Sequence, residues 1–218
     1  FGPALEEELK KSNLTLRHFP QSFEHSTLGG WIATRSGGHF ATLYTHIDDF
    51  VESTTMVTPG GVIESRRLPG SGAGPSPDRM VIGSEGILGV ITEAWMRLQE
   101  RPKFRASCPV LFDDYEDALN ATRLISQSAL FPANCRLLDA NEALFNGAGD
   151  GSKHLLILSF ESADHDMDAW LKRSLEIASE ARGQYELPEE KKEDAHKSGA
   201  SGTWRNSFIR AQIGRAHV

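Results

Sequence analysis

The chain has 218 residues, 39% hydrophobic and 24% charged, with a formal net charge of −7. This composition describes a globular protein with room for one large domain or two small ones. The acidic balance argues against a nucleic-acid surface, no apolar run reaches the length of a membrane-spanning helix, and Cys108 and Cys135, without CxxC spacing, read as reduced buried thiols rather than a disulfide framework.

Residues 4–12 carry Leu5 and Leu9 beside a dense Glu/Lys face, which predicts a short amphipathic helix. Residues 14–19 alternate as a strand, and 30–34 start a helical turn. Residues 50–57 and 62–67 flank Pro59-Gly60-Gly61, the pattern of a β-hairpin closed by a glycine turn. Residues 69–77 are a loop by composition, and 78–82 a short turn or helical segment. Residues 90–98 alternate again. Val90, Thr92, Ala94, Met96 and Leu98 share one face, and Ile91, Glu93, Trp95 and Arg97 the other.

The character changes near Arg101-Pro102, and beyond it strands and helices alternate. Residues 105–112 read as a strand. Asp113 or Asp114 then caps a helix with Tyr115, Ala118, Leu119, Thr122 and Ile125 on one face, ended by Pro132. Residues 136–138 are a short strand and 141–145 a short helix. The apolar run 155–160 predicts a buried strand with sheet neighbours on both sides, some of them expected from outside this chain. Asp166 or Asp168 opens a helix through Trp170, Leu171, Leu175 and Ala178, closed by Gly183 just past its end. The alternation is an α+β layer of ferredoxin-like type. Residues 186–194 form a charged, solvated stretch, and 204–210 open a further helix. Residues 213–218 fit no helix or strand pattern. They can be encoded by a common sequencing-library adapter, so they are expected to be an artefact outside the fold.

Two glycine-dense stretches carry the functional signal. Residues 83–92, GSEGILGVIT, place Gly83, Gly86 and Gly89 at every third position before a β-branched run. Glycine at that density lets backbone lie directly against a flat or phosphorylated surface. The stretch is neither a GxGxxG fingerprint nor a phosphate loop ending in GK[ST], and a tight turn before a core strand has the same look. Residues 20–49, PQSFEHSTLGGWIATRSGGHFATLYTHIDD, gather small residues and the short hydroxyls of Ser26, Thr27, Thr34 and Ser36.

Together the two stretches resemble the FAD-binding domain of the vanillyl-alcohol-oxidase/PCMH flavoprotein superfamily, and within it the alkyldihydroxyacetonephosphate synthase family. The resemblance covers residues 1–98 closely and 105–210 more loosely. It implies an α+β fold. Residues 1–102 would be the second half of a PCMH-type FAD-binding domain, and residues 103–212 a truncated ferredoxin-like cap, the C-terminal domain of FAD-linked oxidases. It implies FAD contacts at Gln21, Ser22, Phe23, Glu24, His25, Ser26 and Thr27, at Thr34, Arg35, Ser36 and Gly37, and at Glu85, Gly86, Ile87, Leu88, Gly89, Val90 and Ile91. Glycine-turn amides suit the pyrophosphate and the polar flavin edge, the hydroxyls of Ser26 and Thr27 would complete the donors, and Val90 and Ile91 would lie on the ring. His25 stands where the family has an apolar or aromatic residue, and Ile87 where it has Thr, at the loss of one hydroxyl.

The implied reaction exchanges the acyl chain of acyl-dihydroxyacetone phosphate for a fatty alcohol in ether-lipid synthesis, without net redox change. The alternative is an FAD-linked dehydrogenase or oxidase of a 2-hydroxy acid such as D-lactate, built on the same domain. The family's first FAD subdomain would lie upstream and its catalytic tyrosine and histidine cluster downstream, so no residue here is assigned as acid or base. The fragment alone is expected to be inactive. The implied partners are a small-molecule or lipid substrate and, for the full-length protein, a second copy in a homodimer. The expected location is the cytoplasm, with membrane association through a lipid substrate.

Other polar residues have plainer readings. The histidines form no HExxH pattern and are expected to be surface or hydrogen-bonded groups, with no metal site. Asp48 and Asp49 suit a cap or loop role. Arg136, set among apolar residues, needs an anion if it points inward. The resemblance places it near a substrate; a salt bridge to Asp139 or a neighbouring carboxylate is the other reading.

Overall fold

The computed structural model describes residues 1–67 and 74–186. Two compact units divide the chain, Phe1–Arg101 and Pro102–Val218. Residues 69–73 of the expected loop lie outside the described residues. So do 187–194 of the charged stretch, the helix expected from 204, and 213–218.

The first unit runs α1 (Gly2–Lys10), β1 (Leu14–Thr15), α2 (Leu28–Ala33), α3 (Ala41–Tyr44), α4 (Ile47–Phe50), β2 (Val51–Thr58), β3 (Gly61–Glu64), α5 (Pro77–Val81), β4 (Val90–Met96) and β5 (Gln99–Glu100). β2 is the centre of an antiparallel sheet ordered β3-β2-β4, and β1 pairs with β5. The strand expected over 14–19 shortens to two residues, because Arg17 turns to φ 59 and takes the chain out of the ladder. The Glu6 carboxylate of α1 accepts from the Thr15 hydroxyl at 2.8 and 2.9 Å and from the Leu16 amide at 2.9 Å, fixing this corner. The core gathers Leu16, Trp31, Ile32, Ile47, Phe50 and Ile82, with Leu5 and Leu9 of α1 against it.

β4 departs from the expected alternation. Thr55 pairs with Glu93 but Met56 pairs with Ile91, so Thr92 is an extra residue in a β-bulge. The bulge reverses the parity of the strand start. Ile91 therefore packs on the core with Ala94 and Met96, while Val90 and Trp95 are exposed.

The second unit runs β6 (Phe104–Phe112), α6 (Tyr115–Gln127), β7 (Asn134–Leu138), α7 (Ala140–Phe145), β8 (His154–Ser162) and α8 (Asp168–Glu180). β8 lies between β6 and β7, antiparallel to both. β6 and β7 are thus parallel around an inserted strand, a split β-α-β arrangement. Both neighbours of β8 come from this chain, which corrects the expectation that some lie outside it. Leu156, Leu158 and Phe160 join the cluster built with Ala118, Ala121 and Ile125 of α6 and Leu171, Leu175 and Ala178 of α8. Leu155 and Ile157 face the other way, beside Leu138 of β7 and onto Ala143 of α7. Cover on both faces explains an unbroken apolar run.

Asp114 caps α6, its carboxylate accepting from the amides of Glu116 and Asp117 at 2.9 and 3.3 Å. The buried stripe of α6 is Ala118, Ala121 and Ile125; Tyr115 and Leu119 stay exposed, because small alanines let the helix lie close on the sheet. α8 ends through Arg182 at φ 66, not through Gly183. Gly183 serves close approach instead, since a Cβ there would stand 2.7 Å from Val110 Cγ1.

Leu158→Ala should open a cavity in the middle of this sheet and destabilise the unit by about 2–5 kcal/mol. Leu119→Ala should change stability by less than about 0.5 kcal/mol. Denaturant midpoints of the two variants check the contrast.

Candidate cofactor site

The two glycine-dense stretches meet through their backbones. Thr27 caps α2 by accepting from the Gly30 amide at 3.2 Å, and the helix ends after Ala33, where the chain turns through Arg35 at φ 51. The last carbonyls of a helix have no partner within it. Here the Gly83 amide donates to the Ile32 carbonyl and the Glu85 amide to the Ala33 carbonyl, each at 2.9 Å. Glu85 at φ 50 and Gly86 at φ 86 then turn the loop outward.

Beyond that turn the loop presents backbone to solvent. The Ile87 amide donates to the Ser84 carbonyl at 3.0 Å, whereas the amides of Gly86 and Leu88 meet no acceptor among the described residues. A Cβ on Gly86 would meet nothing within 4 Å. Ile87 is 85% exposed and Val90 67% exposed, with Leu88 between them also exposed. The Ser84 hydroxyl is buried with no partner among the described residues. Gly89 differs from Gly86: a Cβ there would lie 2.3 Å from the Val57 carbonyl oxygen, so it serves contact with β2.

A charged clamp holds the same corner. Asp48, buried at the start of α4, accepts from Arg35 at 2.7 and 3.2 Å and also pairs with Arg79 of α5. Arg79 reaches Asp49 as well, at 2.6 Å. The Thr45 hydroxyl, 2.6 Å away, and then Arg79 hold the Asp49 carboxyl below its ordinary range. The hydrogen bond to Asp49 in turn raises the Arg79 guanidinium. The two aspartates thus tie α2, α4 and α5 together.

The structure places the expected contact residues at the two ends of α2. Residues 21–27 precede α2, while 34–37 and 85–91 meet at its far end, about 9 Å away along a six-residue helix. Phe23 is buried, stacked on Trp31 at 5.7 Å, so its side chain belongs to the core. Gln21, Ser22, Glu24 and His25 are exposed. The hydroxyls largely serve the local fold. Ser26 donates to the Ser22 carbonyl at 2.7 Å and accepts from Trp31 Nε1 at 2.6 Å, and Thr34 donates to the Gly30 carbonyl at 3.0 Å. Arg35 turns to Asp48. Gly37 is exposed, and Ile91 packs on the core.

Sequence reading missed His18, which is 1% exposed between Trp31 and Phe50. Its Nε2 lies 2.9 Å from Ser36 Oγ. Its only sequence signal was the alternation that sets it on the face of Leu14 and Leu16. Burial, and then the charge of His46, lower its pKa from 6.5 to about 4.

In the second unit, Arg136 is half-buried on β7; burial lowers its pKa and the charge of Glu142 opposes this. Asp139 is occupied as the cap of α7, accepting from the Glu142 amide at 2.8 Å. Burial pushes Cys108 and Cys135 up to about 11, so both stay thiols near neutrality.

Residues 2–65 match the family model described as an FAD binding domain, and residues 101–210 the one described as FAD linked oxidases, C-terminal domain. The chain belongs to the FAD-linked oxidase family, whose cofactor is FAD. Among its relatives, alkyldihydroxyacetonephosphate synthase of Dictyostelium discoideum is 41% identical over 152 residues, 70% of this chain and 25% of that protein. The Caenorhabditis elegans synthase is 33% identical over 148 residues, covering 67% of this chain and 25% of that protein. A solved structure of alkyldihydroxyacetonephosphate synthase superposes with a TM-score of 0.79 at 30% identity, over 98% of this chain and 42% of that one. The chain thus spans about a quarter of the length of the curated relatives it matches.

His18 gives a pH dependence of known sign. The unfolded chain takes up the proton near pH 6.5 and the folded chain only near 4. Between those values the unfolded state holds more protons, so stability is present in full above pH 6.5 and lost as pH falls. The shift from 6.5 to about 4 corresponds to roughly 3 kcal/mol. His18→Gln should flatten this part of the slope, read from denaturation midpoints at pH 7 and 4.5 in both proteins.

Proposed function

We propose that this chain is the flavin-binding and cap portion of an alkyldihydroxyacetonephosphate synthase-like enzyme, which exchanges the acyl chain of acyl-dihydroxyacetone phosphate for a fatty alcohol. The observation that carries the reading is the pair of hydrogen bonds from Gly83 and Glu85 to the end of α2, which joins 34–37 and 85–91 at one corner. The identity of 41% with the Dictyostelium synthase supports this branch of the family.

The residues fit FAD by three observations. The Gly86 and Leu88 amides are open donors, the Ser84 hydroxyl is buried without a partner among the described residues, and Ile87, Leu88 and Val90 expose apolar surface beside them. We assign residues 85–91 to the cofactor through backbone donors and apolar contact, 34–37 through the turn after α2, and 21–27 through main chain and the Thr27 hydroxyl. Arg136 is assigned to the substrate side. The cofactor supplies the electronic chemistry; the chain's own residues bind and orient it. Among the described residues no helix is long and apolar enough to cross a membrane. The reading further takes the substrate to be a lipid phosphate ester and the full-length protein to be a cytoplasmic homodimer.

The full-length protein should purify yellow and convert acyl-dihydroxyacetone phosphate and a long-chain alcohol without an external electron acceptor. Bleaching of the flavin by D-lactate, with recovery on adding an acceptor and no alkyl exchange, would overturn the assignment in favour of 2-hydroxy-acid oxidation. D-lactate dehydrogenase of Arabidopsis thaliana, 36% identical over 116 residues, is the relative that makes this the informative contrast.

Gly86 and Gly89 should respond differently to Ala. At Gly86, φ 86 strains an L-residue without a collision, so FAD affinity should fall by about five- to tenfold, equivalent to about 1 kcal/mol, with a small change in melting temperature. Gly89→Ala runs into the Val57 carbonyl and should lower the melting temperature first. Flavin fluorescence titration and thermal melts separate the two.

A further inference from the structure

His18 is not explained by packing. Its ring lies 5.5 Å from Trp31 and 6.1 Å from Phe50, in a place an apolar side chain would fill without an unmatched nitrogen. Its Nδ1 has no hydrogen-bond partner among the described residues, while Nε2 meets Ser36 Oγ at 2.9 Å. The turn that carries Ser36 is fitted around this ring. A Cβ at Gly38 would stand 2.8 Å from His18 Nδ1, and one at Gly37 would stand 3.3 Å from His46 Nδ1. The main chain of Ser36 is held on both sides, its amide donating to the Trp31 carbonyl at 3.0 Å and its carbonyl accepting from the Ile47 amide at 3.4 Å.

These contacts leave one question of protons. Burial keeps the ring neutral at physiological pH, so it carries a single N–H. A buried donor without an acceptor is rarer in folded proteins than an under-used acceptor. The proton therefore sits on Nε2, and Nδ1 is the unmatched acceptor. Nε2–H then donates to Ser36 Oγ, and the Ser36 hydroxyl keeps its own proton for a second partner.

We propose that His18 is a positioning residue of the cofactor site: it donates to Ser36 Oγ and so directs the Ser36 hydroxyl proton outward, as a donor to an acceptor on FAD. The inference rests on the reading that the turn 34–37 holds FAD. It adds a side-chain donor beside the open amides of Gly86 and Leu88. His18 itself touches no ligand and transfers no proton.

The test uses the full-length protein, with FAD affinity from flavin fluorescence titration of the apoprotein, the visible flavin spectrum and thermal melts. His18→Leu fills the space without a donor, Ser36→Ala removes the hydroxyl, and His18→Gln restores an N–H near the Nε2 position. Each of the first two should weaken FAD binding about tenfold, the scale of one hydrogen bond to a polar ligand group. The double variant should bind no more weakly than Ser36→Ala alone, because both changes remove one interaction. His18→Gln should recover affinity to within about threefold and return the wild-type flavin spectrum. If His18→Leu does not fold, Ser36→Ala with His18→Gln still decides: loss in the first with retention in the second supports the proposal. Wild-type affinity and spectrum in Ser36→Ala, or losses that multiply in the double variant, would overturn it. A wild-type protein that takes up no FAD would instead refute the cofactor reading itself, and this inference with it.

Discussion

The hydrogen bonds from Gly83 and Glu85 to the carbonyls of Ile32 and Ala33 constrain the whole first unit. They satisfy helix-end acceptors with loop donors, so neither segment can settle without the other. Once they form, the loop must leave through the left-handed residues Glu85 and Gly86, and its remaining amides face outward. Asp48 reinforces the same corner by engaging Arg35 from the turn after α2 and Arg79 from the helix before the loop. With Asp48 buried and both arginines half-exposed, the clamp's value is geometric more than energetic. Breaking it from the Asp48 side would leave two cations sharing the corner with the Asp49 carboxylate alone.

The second unit depends on a different constraint. β8 must be covered on both faces, because its residues from Leu155 to Phe160 are all buried. α6 and α8 cover one face, and α7 with Leu138 covers the other. This cover comes from the chain itself. Alanines at 118, 121 and 178 bring the helices close, and Gly183 continues that close approach where the chain returns to β6.

What the sequence disclosed follows from the range of the interactions. Strand patterns located β2 and β6, the unbroken apolar run β8 and helical spacing α8, because burial of one face or two imprints itself on neighbouring residues. The Asp114 cap was legible for the same reason: the amides that donate to it lie two and three residues away. The bulge at Thr92 was not, since it is a property of the pairing between β4 and β2 and leaves no local pattern. Residues 14–19 alternate well enough for a strand, yet only two of them pair, because Arg17 turns to φ 59 and leaves the ladder with β5. The glycine stretches were read as a surface for a flat ligand or a tight turn, but their mutual attachment was not legible, because it joins residues some fifty positions apart through atoms every residue has. His18 was passed over because an imidazole on an apolar face has no distinctive spacing.

The division between backbone and side-chain contacts bears on how tolerant such a site is to substitution. Ser26 and Thr34 donate to main-chain carbonyls, and Arg35 is held by Asp48, so these side chains hold the fold. The open donors, at Gly86 and Leu88, are main-chain groups. The Ile87 amide is fixed to the Ser84 carbonyl, so the side chain there can change without altering the loop geometry. His25 is exposed, and its amide is fixed to the Ser22 carbonyl at 2.9 Å, so it too can vary without moving the turn. A surface assembled from amides is sensitive to what moves the backbone, above all to a Cβ at Gly86 or Gly89. Side-chain chemistry matters where the backbone offers no proton, and Ser36, whose Oγ lies 2.9 Å from Nε2 of the buried His18, is where we place such a donor.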